Sequence, residues 1–580
     1  MVQRGVFKVP IVGCGVSSSE MLRFTSCVNP HLMSVDWVEL RQETMSDAPV
    51  ATSRFNSSLI AILLLVIFFS AVRWRLADTP LERDEGEYAY AGQLMLQGIP
   101  PYKLAYNMKL PGTYACYAVI MAALGETPRG IHLGVMLGNA AAILLIYLLE
   151  LQLLGPWSAV AAAAAYALLS TIPATLGLAG HATHFVVFAA VPALILLLWA
   201  EVHEQAWLYF CSGILFGLAF IMKQPGVFFG AFGFFYILYF SLRAASGWKR
   251  LVVRSAVFLA GCALPFLITC FLMWRSGVFG DFWFWTFSYA RQYSGLLTFK
   301  DGWDLFTYHF SRIFTAAPGL WILALLGIVG LFWHEPLRKR APFVLGLLVF
   351  SMFGVSAGLY FRFHYFLLAV PAIALLVGLA IESFIQALHG ARLAFRAIPF
   401  AIFGVALVCS VALNFGYYFR LTPVQACRYA YGMNEGFPEA QQIASYLEQH
   451  TLPGDRIGVL GSEPEIYFDS HRVSATGYIY LYPLMENQPY WQKMQERLMA
   501  EVEASHPAYF VYFNDANSWL TTVSSARLPG FFNWANAYLK QNYQRVGVVE
   551  LVEPEPIFLW GDQAESASAK TTITIFKRKS

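Results

Sequence analysis

The sequence has little charge. Asp, Glu, Lys and Arg make up 13% of its 580 residues, where a soluble globular chain is nearer a quarter, so an ordinary water-facing fold is excluded. The formal net charge of +3 is too small to argue for a nucleic-acid partner. The eight cysteines show no CxxC spacing, and Cys116, Cys211, Cys262, Cys270 and Cys409 fall inside apolar runs. Neither a metal knuckle nor a disulfide framework is indicated. No P-loop is visible, which removes the commonest way of holding a nucleotide. No convincing internal repeat appears, as the repeat-built secondary transporters would show. No basic region followed by an apolar core and a small-residue cleavage site opens the chain, so no signal peptide is expected.

What is present is apolar: 57% of residues are hydrophobic and 16% aromatic, with a mean hydropathy of +0.52. Runs of membrane-spanning length recur. Residues 1–56 read as a cytoplasmic tail with little structure, with Met45 as a second possible start. Candidate spans lie at 57–74, 129–149, 156–176, 184–201, 206–222, 225–243, 254–275, 316–333, 342–359, 364–383 and 398–419. The run Tyr114–Leu124 is shorter than the ~20 residues needed to cross and reads as re-entrant or interfacial. With that parity Arg243, Lys249, Arg250, Arg254, Arg338, Lys339, Arg340, Arg392 and Arg396 fall in cytoplasmic loops, as the positive-inside rule asks. About eleven crossings result, forming a mainly α transmembrane domain over 57–419 with an external loop at 75–128. From residue 420 to 580 the composition turns soluble. Helices at Phe437–His450 and Tyr490–Ala504 alternate with strands at Arg456–Leu460, Ala508–Phe513, Val546–Val552 and Thr572–Phe576, an external α/β domain.

Between the first two apolar runs lies Glu82-Arg83-Asp84-Glu85-Gly86-Glu87-Tyr88. Carboxylates beside a membrane segment are costly unless they are used or solvated. Two readings stand: a general base near a phosphate anchor, or an acidic loop that only solvates a helix end. Glu87 would lie on a different side from Asp84 if the segment is helical. The same parity gathers His181-Ala182-Thr183-His184, Met222-Lys223-Gln224-Pro225, the aromatic loop Trp283–Tyr293 and Phe361-Arg362-Phe363-His364-Tyr365 on the external face. His181 and His184 are metal-ligand candidates by their spacing, or else cap a helix. Lys223 is a phosphate contact or a snorkelling lysine. Arg362 suits forked phosphate contact or pairs with a lipid headgroup, and His364 contacts phosphate or acceptor or simply sits at the interface. The aromatic loop binds sugar or prenyl chain or, the first reading, forms an interfacial belt.

The pattern from Arg83 to Ala89, the Gln97-Gly98-Ile99-Pro100-Pro101-Tyr102 turn and Lys109-Leu110-Pro111-Gly112 resemble the first external loop of GT-C-fold glycosyltransferases. Within that group the chain is similar to bacterial relatives of dolichyl-phosphate-mannose–protein mannosyltransferases and to the lipid A aminoarabinose transferase. Further marks are Lys223-Gln224-Pro225-Gly226, Arg362-Phe363-His364-Tyr365 leading to Pro371, and the weaker Gly461–Phe468. The resemblance implies an inverting enzyme of the bacterial inner membrane that moves a hexosyl or pentosyl group from a polyprenyl-phosphate donor to an envelope glycan, lipid or protein. It implies Asp84 as catalytic carboxylate, with Glu85 as alternative base or orienting group. Around the substrates it implies Lys109, Lys223, Arg362, His364, Tyr88 and Tyr102. Here Leu110 separates Lys109 from Pro111, where the family has a lysine-proline pair. No cofactor is required, although a divalent metal is compatible. The competing class is a non-catalytic transporter or flippase of lipid-linked sugars.

Overall fold

Segments too apolar for water fold as helices, which satisfy every backbone hydrogen bond internally. The computed structural model describes residues 48–243, 247–520, 528–552, 555–567 and 573–579. The expected tail up to residue 47 lies outside them. Phe55–Ser580 form one compact unit, which holds both the membrane helices and the C-terminal sheet.

All eleven expected spans contain helix. Seven are long and apolar enough to cross a bilayer: Asn56–Arg75, Pro128–Leu153, Ala182–His203, Gln224–Arg243, Trp248–Arg275, Ala341–Leu359 and Val370–Ala387. This is a multi-pass membrane protein. An eighth crossing arises if Phe299–Ala316 and Pro318–Trp333, bent by 102°, count as one. Pro156–Leu169, Ala206–Met222 and Ile398–Leu413 are helical but shorter, as is Gly112–Leu124, the segment expected not to cross. The alanine-rich Pro156–Leu169 buries every residue from Ser158 onward, so other helices surround it. Trp248–Arg275 instead exposes Leu267, Ile268, Phe271, Leu272 and Trp274, the outward apolar face that lipid requires. It packs on Ala206–Met222 through glycines: a Cβ on Gly213 would stand 2.2 Å from the Phe258 carbonyl oxygen, and one on Gly261 2.3 Å from that of Phe210. Small residues permit this backbone approach, the usual way helices associate in lipid.

Among the described residues the C-terminal region holds a six-stranded sheet. Its strands are β1 (Arg456–Leu460), β2 (Val473–Ser474), β3 (Tyr509–Phe513), β4 (Tyr543–Glu550), β5 (Ile557–Trp560) and β6 (Ile573–Arg578), in the order β2-β1-β3-β6-β4-β5. β1 runs parallel to both β2 and β3, while β6 joins β3 and β4 antiparallel. β2 and β5 were not anticipated, being only two and four residues long and offering no alternation to read. Along β1 the residues Ile457, Gly458, Val459 and Leu460 are all buried, and the loop after β1 reaches the carboxylate segment.

Candidate active site

The carboxylates sit on one short helix, α1 (Arg83–Leu96). Glu82 caps it, accepting the Glu85 N–H at 2.9 Å, and acids in the first turn suit the positive end of the helix dipole. Residues three apart share a helix face, so Glu87 stands beside Asp84, not on another side as the sequence suggested. Both hold Lys109: its Nζ donates to Asp84 Oδ1 at 2.8 Å and to Glu87 Oε2 at 2.7 Å. Glu87, fully buried, also accepts from Asn107 Nδ2 at 2.7 Å and the Tyr114 hydroxyl at 2.5 Å. The ammonium lies 4.6 Å from the centre of the Tyr88 ring, whose hydroxyl is buried with no hydrogen-bond partner among the described residues. The Tyr102 hydroxyl donates to the Lys109 carbonyl at 2.7 Å, so Tyr102, at φ 66°, supports the lysine's backbone. Burial works to raise the Asp84 carboxyl, but Lys109 and His181 outweigh it and hold the group well below the usual carboxylate range.

Two histidines face the free oxygen. Asp84 Oδ2 lies 3.9 Å from His181 Nδ1 and 4.0 Å from His364 Nε2. The rings stack with centroids 4.0 Å apart. His181 is buried, and neither ring nitrogen is hydrogen-bonded among the described residues. Burial pulls it down to about 4, so it is neutral and can ligate near neutral pH. One donor atom from each of Asp84, His181 and His364 falls within 4.8 Å of the others. Two imidazoles and a carboxylate, with the His181 nitrogens free of other partners among the described residues, fit a first-row divalent ion. His184, the other half of the sequence-derived pair, turns away, with Nε2 3.0 Å from the Gly177 carbonyl oxygen. The i, i+3 spacing paired His181 with His184, whereas the tertiary fold brings His364 alongside His181.

The cations gather on neighbouring turns. Lys223 lies 4.0 Å from the Tyr365 ring centre, and Arg362, on the same turn as Tyr365, sits over the Tyr360 ring, 5.6 Å from its centre. The Lys223 turn is stapled to the Lys109 loop, since Gln224 Nε2 donates to the Met108 carbonyl at 2.6 Å and Thr113 Oγ1 to that of Met222 at 2.9 Å. Desolvation brings Lys223 down to about 7 against the pull of Asp84. The backbone before Arg362 is strained, with Leu359 at φ 64° and Phe361 at φ 43°, values non-glycine residues hold only where the surroundings impose them. Tyr480, 5.7 Å from Lys109 Nζ, closes this side from the C-terminal region. Nothing in the sequence marked Tyr480.

That region grips α1 directly. Arg83 Nε donates to the Ser462 carbonyl at 2.6 Å, and its Nη2 is 3.1 Å from both Glu463 and Glu435. Gly86 abuts the turn beginning at Glu465, and the Ser474 N–H donates to the Tyr90 hydroxyl at 2.9 Å. The aromatic loop is only partly a surface belt. Trp283 is exposed, but Phe282, Trp285 and Tyr289 are buried, Trp285 stacking on Tyr106 at 5.8 Å. Glu85 faces away from Lys109 toward His132 and Gly180.

The helical membrane bundle whose first loop carries this carboxylate helix, with a small α/β region clasped over it, has the GT-C fold of the solved structure it matches over 80% of its length. A family described as dolichyl-phosphate-mannose-protein mannosyltransferase matches residues 109–274. The structure is similar to that of ArnT from Cupriavidus metallidurans bound to undecaprenyl phosphate, at 17% identity and a TM-score of 0.50, over 80% of this chain and 95% of that one. An oligosaccharyltransferase from Archaeoglobus fulgidus is also similar, at 14% identity and a TM-score of 0.48, over 88% of this chain and 76% of that one. No curated protein matches the sequence.

Proposed function

We propose that this protein is an inverting glycosyltransferase that takes a sugar from a polyprenyl-phosphate donor and passes it to an envelope glycan, lipid or protein. It does so at the outer face of a bacterial inner membrane. The observation that carries the reading is the Asp84–Lys109 contact, with Lys223 and Arg362 on adjoining turns. A carboxylate beside several cations suits a reaction in which a hydroxyl loses a proton while a phosphate departs. The donor's C1–O bond to phosphate breaks as the acceptor oxygen bonds to C1. The acceptor proton passes to Asp84, and the phosphate stays on its prenyl chain. One displacement inverts the anomeric carbon, and no second carboxylate nucleophile is needed. The resting Asp84 is a weak base because Lys109 holds it. A donor phosphate that draws Lys109 Nζ toward itself raises the basicity of Asp84 when the acceptor is in place. A divalent ion on Asp84, His181 and His364 would supply further positive charge beside the phosphate.

The purified protein, supplied with undecaprenyl-phosphate-linked sugars and an envelope extract, should release undecaprenyl phosphate and glycosylate a component of the extract. Mass spectrometry of envelope glycolipids and glycans with and without the intact gene should reveal the same product. Movement of the intact lipid-linked sugar across vesicles with no transfer would establish the transporter class instead.

Lys223 gives a pH prediction. Its folded value lies below that of an ordinary lysine, so its charge is present below about 7 and is lost as pH rises through it. The KM for the lipid-phosphate donor should therefore climb from about pH 6 to about pH 9. Lys223→Arg, charged throughout, should flatten that rise; an identical pH profile in the variant would remove Lys223 from phosphate binding.

A further inference from the structure

We propose that His132 is a positioning residue for this site, acting through Glu85 on the peptide that carries His181. The inference rests on the reading above for its kinetic consequence but not for its geometry. Glu85 follows Asp84 directly, and the helical turn between them sends its side chain the other way. There Oε1 accepts the Gly180 N–H at 2.5 Å and lies 3.1 Å from His132 Nε2. The ring's second nitrogen is 2.9 Å from the Ala77 carbonyl oxygen, an atom that only accepts, so Nδ1–H donates to it. Both ring nitrogens are thus engaged, and the ring cannot turn without breaking one contact. All three groups are buried.

These contacts join parts far apart in the chain. Ala77 follows the first span, His132 lies in the opening turn of Pro128–Leu153, Glu85 is on α1, and Gly180 immediately precedes His181. The Gly180 peptide is gripped from the other side too, because the Tyr117 hydroxyl donates to its carbonyl at 2.8 Å. A Cβ on Gly180 would fall 2.4 Å from that hydroxyl oxygen, so the strand of backbone has no slack. The Glu85 and Tyr117 contacts therefore fix where His181 stands relative to Asp84. His132 holds Glu85 against Gly180; without it a buried carboxylate loses a partner and shifts to recover one. A small cavity lined by Glu85, His132, Cys427 and Tyr431 adjoins the pair and leaves room for that shift. A displacement on the order of 1 Å near reacting groups is enough to cost a large factor in rate.

Glutamine places an N–H near the position of Nε2, whereas asparagine places one near Nδ1. His132→Gln should keep the contact to Glu85, and His132→Asn should lose it while keeping the one to Ala77. Diethyl pyrocarbonate labelling read by mass spectrometry reports on the ring directly. His181 should stay protected in the wild type and in His132→Gln, and become several-fold more reactive in His132→Asn. With undecaprenyl-phosphate-linked mannose as probe, His132→Asn should lower kcat on the order of tenfold or more with KM little changed, and His132→Gln should restore most of it. Tyr117→Phe removes a single oxygen from the opposite grip and should also expose His181, which tests whether the Gly180 peptide sets that ring's position. Glu85→Gln, which weakens the His132 contact itself, tests the inference if His132→Asn does not fold. Equal labelling of His181 in wild type, His132→Asn and Tyr117→Phe would overturn the proposal. So would equal losses in the glutamine and asparagine variants. Because labelling needs no sugar transfer, a protein that exposes His181 as expected yet transfers nothing from any lipid-linked donor keeps the clamp and discards the enzyme reading.

Discussion

Asp84→Asn should abolish sugar transfer, lowering the rate by roughly 10²–10⁴-fold, while undecaprenyl phosphate still binds within a few-fold of wild type. The asparagine has the same shape and keeps a carbonyl oxygen for Lys109, which also retains Glu87 at 2.7 Å. Lys109 therefore stays in place, and the change removes only the group proposed to accept the proton. Glu87→Gln makes the useful contrast. It weakens the anchor of Lys109 and leaves Asp84 intact, so the donor's KM should move more than kcat. Transfer assays with the two purified variants, alongside phosphate-lipid binding by native mass spectrometry, separate these effects. Full-rate transfer by Asp84→Asn would remove it as the base.

Gly86→Ala should cripple the protein without touching a polar group. A Cβ there would stand 2.5 Å from the Glu465 backbone nitrogen, 2.7 Å from its Cβ and 2.8 Å from its Cα. Backbone cannot swing aside as a long side chain can. The neighbouring Arg83–Ser462 and Arg83–Glu463 bonds hold the same two segments together, so the methyl must push α1 off the C-terminal region. Overpacking of this kind costs about 1–3 kcal/mol, and the accompanying shift of Asp84 should reduce transfer by on the order of 10²-fold. Activity remaining after a graded heat challenge in detergent measures the first effect and transfer at low temperature the second. Gly280→Ala is the control: it is exposed with nothing within 4 Å of the new methyl and should behave as wild type.

The two expectations draw on different parts of the sequence. Asp84 stands out in a chain this poor in charge, since four acids in seven positions beside a membrane run demand a reason. Gly86, three residues from the start of the helix, looks like an ordinary weak point in a helix. Its purpose appears only when the turn at Glu465, far along the chain, is seen against it. Much the same holds for the histidines. Spacing along the chain offered His181 with His184, while the fold put His364 beside His181 and turned His184 toward the Gly177 carbonyl. His132 gave no signal at all, being one of two polar side chains, with Arg129, in the opening residues of an otherwise apolar helix. The aromatic loop misled in the other direction. Its composition suits a membrane belt, yet Trp285 and Tyr289 are buried against Tyr106 and Glu486, because the C-terminal region covers that face.

By itself the sequence determined the membrane bundle, its helix positions, and a C-terminal region alternating helix and strand. Those follow from hydropathy and periodicity, which are local properties of the chain. It also marked the acidic segment and the lysines and arginine at the loop ends, since charge near a bilayer is scarce enough to notice. Only the tertiary structure decided which of them meet: Asp84 with Glu87 across Lys109, His181 with His364, and Glu85 with His132. The physical reason is that each meeting depends on how helices cross and how loops close over them. Contacts between residues distant in the chain are set by packing, which leaves no period in the sequence to read.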